Sequence, residues 1–302
     1  MQTLENHFID TSMGKLRYWQ AGNEGEVLLI VHGFAVSVEL WRNMINRLSR
    51  NYRVYAVDLI GHGLSDKPET LQGTVGEYAQ CIGQFIDTMG LTQVNLLGHS
   101  MGAAAALQYA NTDANKLKQL LLLTPAGLIK HVPKRFRLAA IPLMGELLMG
   151  SPTHFAIALL LRWSVNNPRV ITPEVVDAIY NNAHRSGVKP TNLKTIRSNV
   201  TPLGIIEASY KSTQDAFNNC SVPTHIIVGQ NDPLIPFAKI AQAIKPIINP
   251  EHFHVLTECG HLPHIEKPDA LQQLLHRLLI THLNRRKVSK DEVTQLTSQH
   301  NK

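Results

Sequence analysis

The chain has 302 residues, 44% of them hydrophobic and 17% charged, which is the composition of an ordinary globular protein with one large core. Its net charge of +6 does not indicate nucleic-acid binding, because no basic stripe with interleaved aromatic residues is present. Its three cysteines have no CxxC spacing, which excludes a disulfide framework and is typical of a reducing compartment.

We expect a cytoplasmic protein that has at most a peripheral contact with a membrane. The first nine residues contain neither the basic nor the apolar region of a signal peptide. The longest apolar stretch, residues 138–163, is interrupted by proline, glycine, glutamate and histidine, so it does not predict a transmembrane span.

The predicted elements alternate between strand and helix over most of the chain. Residues 7–10 and 15–19 flank a Ser-Met-Gly turn and predict an antiparallel hairpin. Apolar runs of strand length follow at 27–31, 54–57, 94–97, 120–123, 226–228 and 253–256, and helical patterns at 39–48, 75–89, 101–110 and 269–283. Continuous apolar runs separated by helices predict an α/β fold with a mostly parallel sheet.

The alternation stops near Gly127 and resumes near Pro223. The residues between are helix-rich, are punctuated by prolines and contain no strand-like run, so they predict a helical cap over the sheet. The predicted organisation is a core at 1–127 and 223–285, a cap at 128–222 and a polar, flexible tail at 286–302.

The pentapeptide Gly98-His99-Ser100-Met101-Gly102 lies between a predicted strand and an alanine-rich predicted helix. In this context a GxSxG pattern is typical of a nucleophile elbow, a sharp turn that exposes the serine hydroxyl. The bare pattern occurs by chance in roughly one chain in ten of this length, so the prediction depends on the flanking strand and helix.

A serine nucleophile needs a base, and the base needs an orienting group. Because functional groups of an α/β sheet gather at the carboxyl ends of its strands, we expect His261 as the base and Asp232 as the acid. His264 is the alternative base, and Asp58 also ends a predicted strand but precedes the elbow in sequence.

An oxyanion hole for Ser100 requires two N–H donors. We expect the backbone N–H of Phe34, in the loop after strand 27–31, and that of Met101, directly after the serine. His62 is interpreted as structural rather than catalytic.

These motifs together resemble those of the α/β-hydrolase superfamily. They are His32-Gly33-Phe34, Trp41, residues 58–65, the elbow, Gly229-Gln230-Asn231-Asp232 and residues 260–268. The resemblance covers most of residues 6–283 except the insertion, and the order Ser100, Asp232, His261 is that of the family. It implies an eight-stranded, mostly parallel sheet flanked by helices, a helical cap inserted after strand 6, no metal and no cofactor.

Residues at three positions reduce the number of reactions that this family resemblance allows. Ser100, rather than aspartate, argues against the dehalogenase and epoxide hydrolase branches. Leu262 occupies the position at which carbon–carbon (meta-cleavage product) hydrolases usually have tryptophan. Phe34 occupies the oxyanion position, at which cofactor-free haloperoxidases usually have tryptophan. The remaining prediction is ester hydrolysis, as in carboxylesterases and monoacylglycerol lipases. The alternatives are a carbon–carbon or thioester hydrolase on the same residues, and a slow-turnover ligand receptor.

The predicted cap provides the only indication of the substrate. Residues 141–149 and 155–163 are rich in large apolar side chains, which either line an acyl tunnel, face a membrane weakly, or bury one another. We expect a small-molecule ester or lipid, contacted by His32, Gly33, His99, Met144, Leu148, Trp163 and Leu262. Binding of a carboxylate by Arg162, Arg185 or Arg197 would favour the carbon–carbon alternative.

Overall fold

The computed structural model describes residues 3–150 and 152–280. Its strands are β1 (His7–Thr11), β2 (Gly14–Ala21), β3 (Val27–Val31), β4 (Arg53–Val57), β5 (Val94–His99), β6 (Leu117–Leu123), β7 (Val200–Thr201), β8 (Gly204–Ile205), β9 (Thr224–Gly229) and β10 (Phe253–Leu256). Eight of them form one sheet in the order β1-β2-β4-β3-β5-β6-β9-β10. The pairs β1–β2 and β2–β4 are antiparallel, and the other five are parallel.

Helices connect the parallel strands, as the alternation in the sequence predicts. They are α1 (Arg42–Leu48), α2 (Val75–Thr88), α3 (Met101–Ala110), α4 (Lys134–Ala139), α5 (Met144–Leu148), α6 (His154–Ser164), α7 (Pro173–Ala183), α8 (Val188–Asn199), α9 (Glu207–Asn218), α10 (Phe237–Ile244), α11 (Pro263–Glu266) and α12 over 268–280. The predicted helix at 39–48 begins as a 3-10 turn, Val38–Trp41, before α1. The predicted tail and the last residues of the predicted C-terminal helix lie outside the described residues.

The sheet is covered on both faces, which explains its continuous apolar strands. In β3, Leu29 and Val31 belong to the core that α2, α3 and α10 close, whereas Leu28 and Ile30 face α1 and α12. All five residues of β3 are therefore buried.

The start of α2 is fixed by a local sequence signal. Thr74 and Glu77 form a reciprocal capping box there.

Residues 128–222, which we call the inserted segment, follow β6 and hold helices α4 to α9. They also contain the antiparallel hairpin β7–β8, although the sequence shows no strand-like run there. Each of its strands has two residues, too few for an alternating pattern to appear in the sequence. Among the described residues, no helix combines the length and the apolar character needed to cross a membrane.

Candidate active site

Ser100 lies at the sharp turn between β5 and α3. Its backbone has φ 53° and ψ −114°, a strained conformation for a residue with a side chain. A Cβ at Gly98 would lie 2.5 Å from the carbonyl oxygen of Gly102, and one at Gly102 would lie 2.3 Å from that of His32. Only glycine fits at these two positions, because the strand, the helix and the neighbouring loop meet there.

The structure brings Ser100, His261 and Asp232 into one hydrogen-bonded row. The three residues follow β5, β10 and β9, whose carboxyl ends lie at the same edge of the sheet. His261 Nε2 is 3.0 Å from Ser100 Oγ, and His261 Nδ1 is 2.7 Å from Asp232 Oδ2. An imidazole that donates from Nδ1 to a carboxylate presents its Nε2 lone pair to the serine hydroxyl.

Asp232 and His261 are both buried and held from several sides. Asp232 Oδ1 accepts hydrogen bonds from the backbone N–H groups of Leu234, at 2.7 Å, and Ile235, at 2.9 Å. The backbone N–H of His261 donates to the carbonyl of Ser164 at 2.8 Å, so the inserted segment supports the histidine loop directly. His99 Nε2 lies 2.9 Å from the carbonyl oxygen of His261, so the residue before Ser100 supports the same loop.

His264, the alternative base, lies in the core. Its ring stacks on Trp41 with centroids 4.2 Å apart, and neither ring nitrogen has a hydrogen-bond partner among the described residues. Burial lowers the pKa of His264 to about 3. His62 is also buried, and burial lowers its pKa to about 3. Neither histidine is hydrogen-bonded to Ser100.

Asp58, the other strand-end carboxylate, is part of a buried ion pair. Its Oδ2 accepts a hydrogen bond from Arg17 Nε at 2.6 Å, and its Oδ1 accepts one from the backbone N–H of Val38 at 3.0 Å. It is paired with Arg17 and is not hydrogen-bonded to His261, which suits a structural role.

Phe34 and Met101, whose amides are expected to form an oxyanion hole, are both neighbours of Ser100. A Cβ at Gly33 would be 3.2 Å from Ser100 Cβ, so the loop that carries Phe34 packs directly on the elbow. Met101 is the first residue of α3, where an N–H has no carbonyl partner within the helix. Both Phe34 and Met101 line the cavity into which Ser100 opens.

That cavity has a volume of about 560 Å³ and lies between the carboxyl edge of the sheet and the inserted segment. Of the predicted substrate contacts, four line it: Gly33, His99, Leu148 and Leu262. The other three are elsewhere. His32 is fully buried, where its Nε2 accepts the backbone N–H of Leu59 at 3.1 Å, and Met144 and Trp163 are on the outer surface.

Trp163 belongs to an exposed stripe of α6. Cavity-lining residues of this helix are Ala156, Ile157, Leu160, Leu161 and Ser164, whereas Trp163 does not line the cavity. The residues one and two turns before it, Leu159 and Phe155, are 61% and 78% exposed. Because α6 is apolar on two faces, its sequence does not reveal which face is turned towards the cavity.

Arg135 also lines the cavity, although the sequence does not predict it as a site residue. It lies in the basic run Lys134-Arg135-Phe136-Arg137, where nothing distinguishes it from its neighbours. Of the three arginines considered for carboxylate binding, Arg197 pairs with Glu146 at 2.8 Å, and none lines the cavity.

Comparisons with known proteins place these observations in a family. The model of the alpha/beta hydrolase family matches residues 28–274. A 2-hydroxy-6-oxo-6-(2'-aminophenyl)hexa-2,4-dienoic acid hydrolase of Metapseudomonas resinovorans is 24% identical over 266 residues, which are 87% of this chain and 86% of that protein. A monoacylglycerol lipase of Xenopus laevis is 26% identical over 280 residues, 89% of this chain and 77% of the lipase.

A solved structure of a bacterial membrane phospholipase A is similar to this chain, with a TM-score of 0.75 and 22% sequence identity. The match covers 93% of this chain and 87% of that one. Together with the sheet order, these likenesses confirm the predicted fold class.

Proposed function

Because the chain belongs to the alpha/beta hydrolase family, we propose that it cleaves carboxylic esters through an acyl-enzyme on Ser100. The observation that carries this proposal is the hydrogen-bonded row Ser100 Oγ–His261–Asp232 beside a cavity. The row supplies the nucleophile, the base and the group that orients the base, which are the parts that acyl transfer needs.

The proposed reaction has two halves. Ser100 Oγ attacks the ester carbonyl while His261 Nε2 takes the hydroxyl proton, and Asp232 stabilises the imidazolium that forms. The tetrahedral intermediate collapses, its C–O bond to the alcohol breaks, and His261 protonates the leaving alkoxide oxygen. Water then attacks the acyl-enzyme in the same way, which releases the carboxylic acid and restores Ser100. In both halves the N–H groups of Phe34 and Met101 stabilise the oxyanion.

The proposed substrate has an apolar acyl part. Support comes from the lining of the cavity by large apolar side chains of α4, α5 and α6, among them Phe136, Leu148, Ile157, Leu160 and Leu161. The likeness to a monoacylglycerol lipase favours the same class.

A second candidate is hydrolysis of a carbon–carbon bond, which the name of the Metapseudomonas relative favours. The residue after the base is Leu262 here, and it lines the cavity. A vinylogous diketone, an acyl-CoA thioester and p-nitrophenyl esters of graded acyl length distinguish the reactions when assayed side by side. If a fluorophosphonate labels Ser100 but none of these substrates is turned over, the protein would be a ligand receptor.

We further propose that the outer face of α5 and α6 contacts an anionic lipid surface. This outer face consists of Leu143, Leu147, Phe155, Leu159 and Trp163, all exposed. It continues into the cavity, because Leu148 and Leu160 are exposed and also line it. The exposed Arg162 on the same helix and the net charge of +6 favour anionic headgroups.

The test of the proposed reaction is Ser100→Ala. We expect it to lower kcat for the best ester by about 10³-fold or more and to abolish fluorophosphonate labelling. The matched control is Ser209→Ala, which removes a serine that lines the same cavity and bonds to Ser198 and Asn199 instead of to a histidine. Activity retained by the Ser100 variant would refute the acyl-enzyme.

A further inference from the structure

The cavity beside Ser100 is cationic as well as apolar. No aspartate or glutamate is among the described residues that line it, whereas the cations Arg135 and Lys189 are. A low-dielectric cavity with cations and without carboxylates attracts an anionic group. An entirely neutral substrate would leave these charges unused.

Arg135 is a partly buried cation without a counter-charge. Its Nε is buried and has no hydrogen-bond partner, and no ion pair to Arg135 occurs among the described residues. Burial lowers the pKa of Arg135 to about 10, so it is still charged near neutral pH. Burial of an unpaired charge is costly, and a bound anion would offset that cost.

Two aromatic rings hold the guanidinium of Arg135 in place. Its Cζ lies 4.5 Å from the centroid of Trp163 and 4.9 Å from that of Phe136. Phe136 in turn packs edge to face on Phe34, in the loop beside Ser100, with centroids 5.8 Å apart. The cation is thus connected to the elbow through two packed side chains and is preorganised for an anionic group.

The other arginines close to Arg135 in the inserted segment have different surroundings. Arg137 Nε donates to the carbonyl of Pro202 at 2.8 Å, and Arg197 pairs with Glu146. Arg162 is exposed on α6 and does not line the cavity. Arg135 therefore differs from its neighbours in being both unpaired and turned towards the cavity.

We propose that Arg135 binds an anionic group of the substrate, a carboxylate or a phosphate, while the apolar part of the substrate fills the cavity beside Ser100. The substrate class is then an anionic amphiphile that carries an ester. That the bound molecule is a substrate rests on the hydrolysis proposed above. The binding of an anionic group by Arg135 is tested without catalysis.

The experiment is isothermal titration of the Ser100→Ala variant with octyl phosphate, nonanoate and 1-octanol, which share an eight-carbon chain and differ in the head group. We expect one of the two anions to bind about 10- to 100-fold more tightly than octanol, the range of a hydrogen-bonded charge pair. The tighter of the two anions identifies the head group as phosphate or carboxylate.

Adding Arg135→Gln to Ser100→Ala should reduce the affinity for the anion to that of octanol and leave octanol binding unchanged. Arg135→Lys keeps the charge and should retain part of the preference, whereas the matched control Arg162→Gln should retain all of it. Equal binding of anions and octanol, or a preference that survives Arg135→Gln, would overturn the proposal. Ester hydrolysis by the protein with native Ser100 is measured separately, so a failure of the proposed reaction is distinguishable from a failure of anion binding.

Discussion

At the scale of single residues, the two oxygens of Asp232 have different tasks. Oδ2 faces His261 Nδ1, and Oδ1 accepts two backbone N–H groups. In Asp232→Asn, the amide oxygen can keep the backbone bonds, but the NH₂ group then donates to Nδ1 and moves the ring proton to Nε2. That tautomer cannot take the proton of Ser100.

We therefore expect Asp232→Asn to lower kcat by about 10³- to 10⁴-fold, with KM and the free energy of unfolding nearly unchanged. Steady-state ester hydrolysis and urea denaturation measure the two effects. A variant with more than about a tenth of the original kcat would contradict the orienting role of Asp232.

At the scale of elements, α6 presents apolar side chains on two faces. One face lines the cavity, and on the other Phe155, Leu159 and Trp163 repeat every four residues and are exposed. If this outer face contacts lipid, Phe155→Ser with Leu159→Ser should weaken binding to vesicles that contain phosphatidylglycerol by about tenfold or more. Sedimentation with vesicles measures this binding. Trp163 is left intact because it supports Arg135.

The matched control for the α6 variant is Ile247→Ser, which replaces an exposed apolar residue near the amino end of β9, at the opposite edge of the sheet. It should bind vesicles as the native chain does. Both variants should hydrolyse a short soluble ester at the native rate. Unchanged vesicle binding by the α6 variant would exclude lipid contact through this face.

At the scale of the whole molecule, buried histidines make the stability of the fold depend on pH. Burial lowers the pKa of His62 and of His264 to about 3, and that of His99 well below its usual value of 6.5. Below pH 6.5 the unfolded chain binds protons that the folded chain does not. The free energy of unfolding therefore falls as pH decreases from about 6.5 towards about 3, with a slope of about 1.4 kcal/mol per pH unit for each such histidine.

His264→Gln should remove the contribution of one histidine to this slope. Urea denaturation at several pH values between about 6 and 4 should give a slope about 1.4 kcal/mol per pH unit smaller than that of the native chain. His7→Gln, which removes an exposed histidine, is the control. Equal slopes for the native chain and the His264 variant would show that His264 is protonated in the folded state.

Local patterns in the sequence were enough to predict the sheet and the residues that meet at its edge. Each predicted strand is found in the structure. The apolar run of β3 was predictable because a strand buried on both faces must be apolar throughout. Ser100, Asp232 and His261 come after three parallel strands, so their spatial proximity follows from the direction of those strands. The hairpin β7–β8 was missed because two-residue strands leave no pattern.

The sequence by itself thus determined the fold class and the three residues that meet at the carboxyl edge of the sheet, since both depend on periodicity and chain order. Only the tertiary structure decided which side chains of the inserted segment line the cavity. Trp163 and Met144 are exposed and Arg135 lines the cavity, because the packing of α4 on α5 and α8, and of α6 on α7, selects the face that each helix turns inwards. The absence of a partner for Arg135 is likewise a property of its surroundings, and no local pattern encodes it.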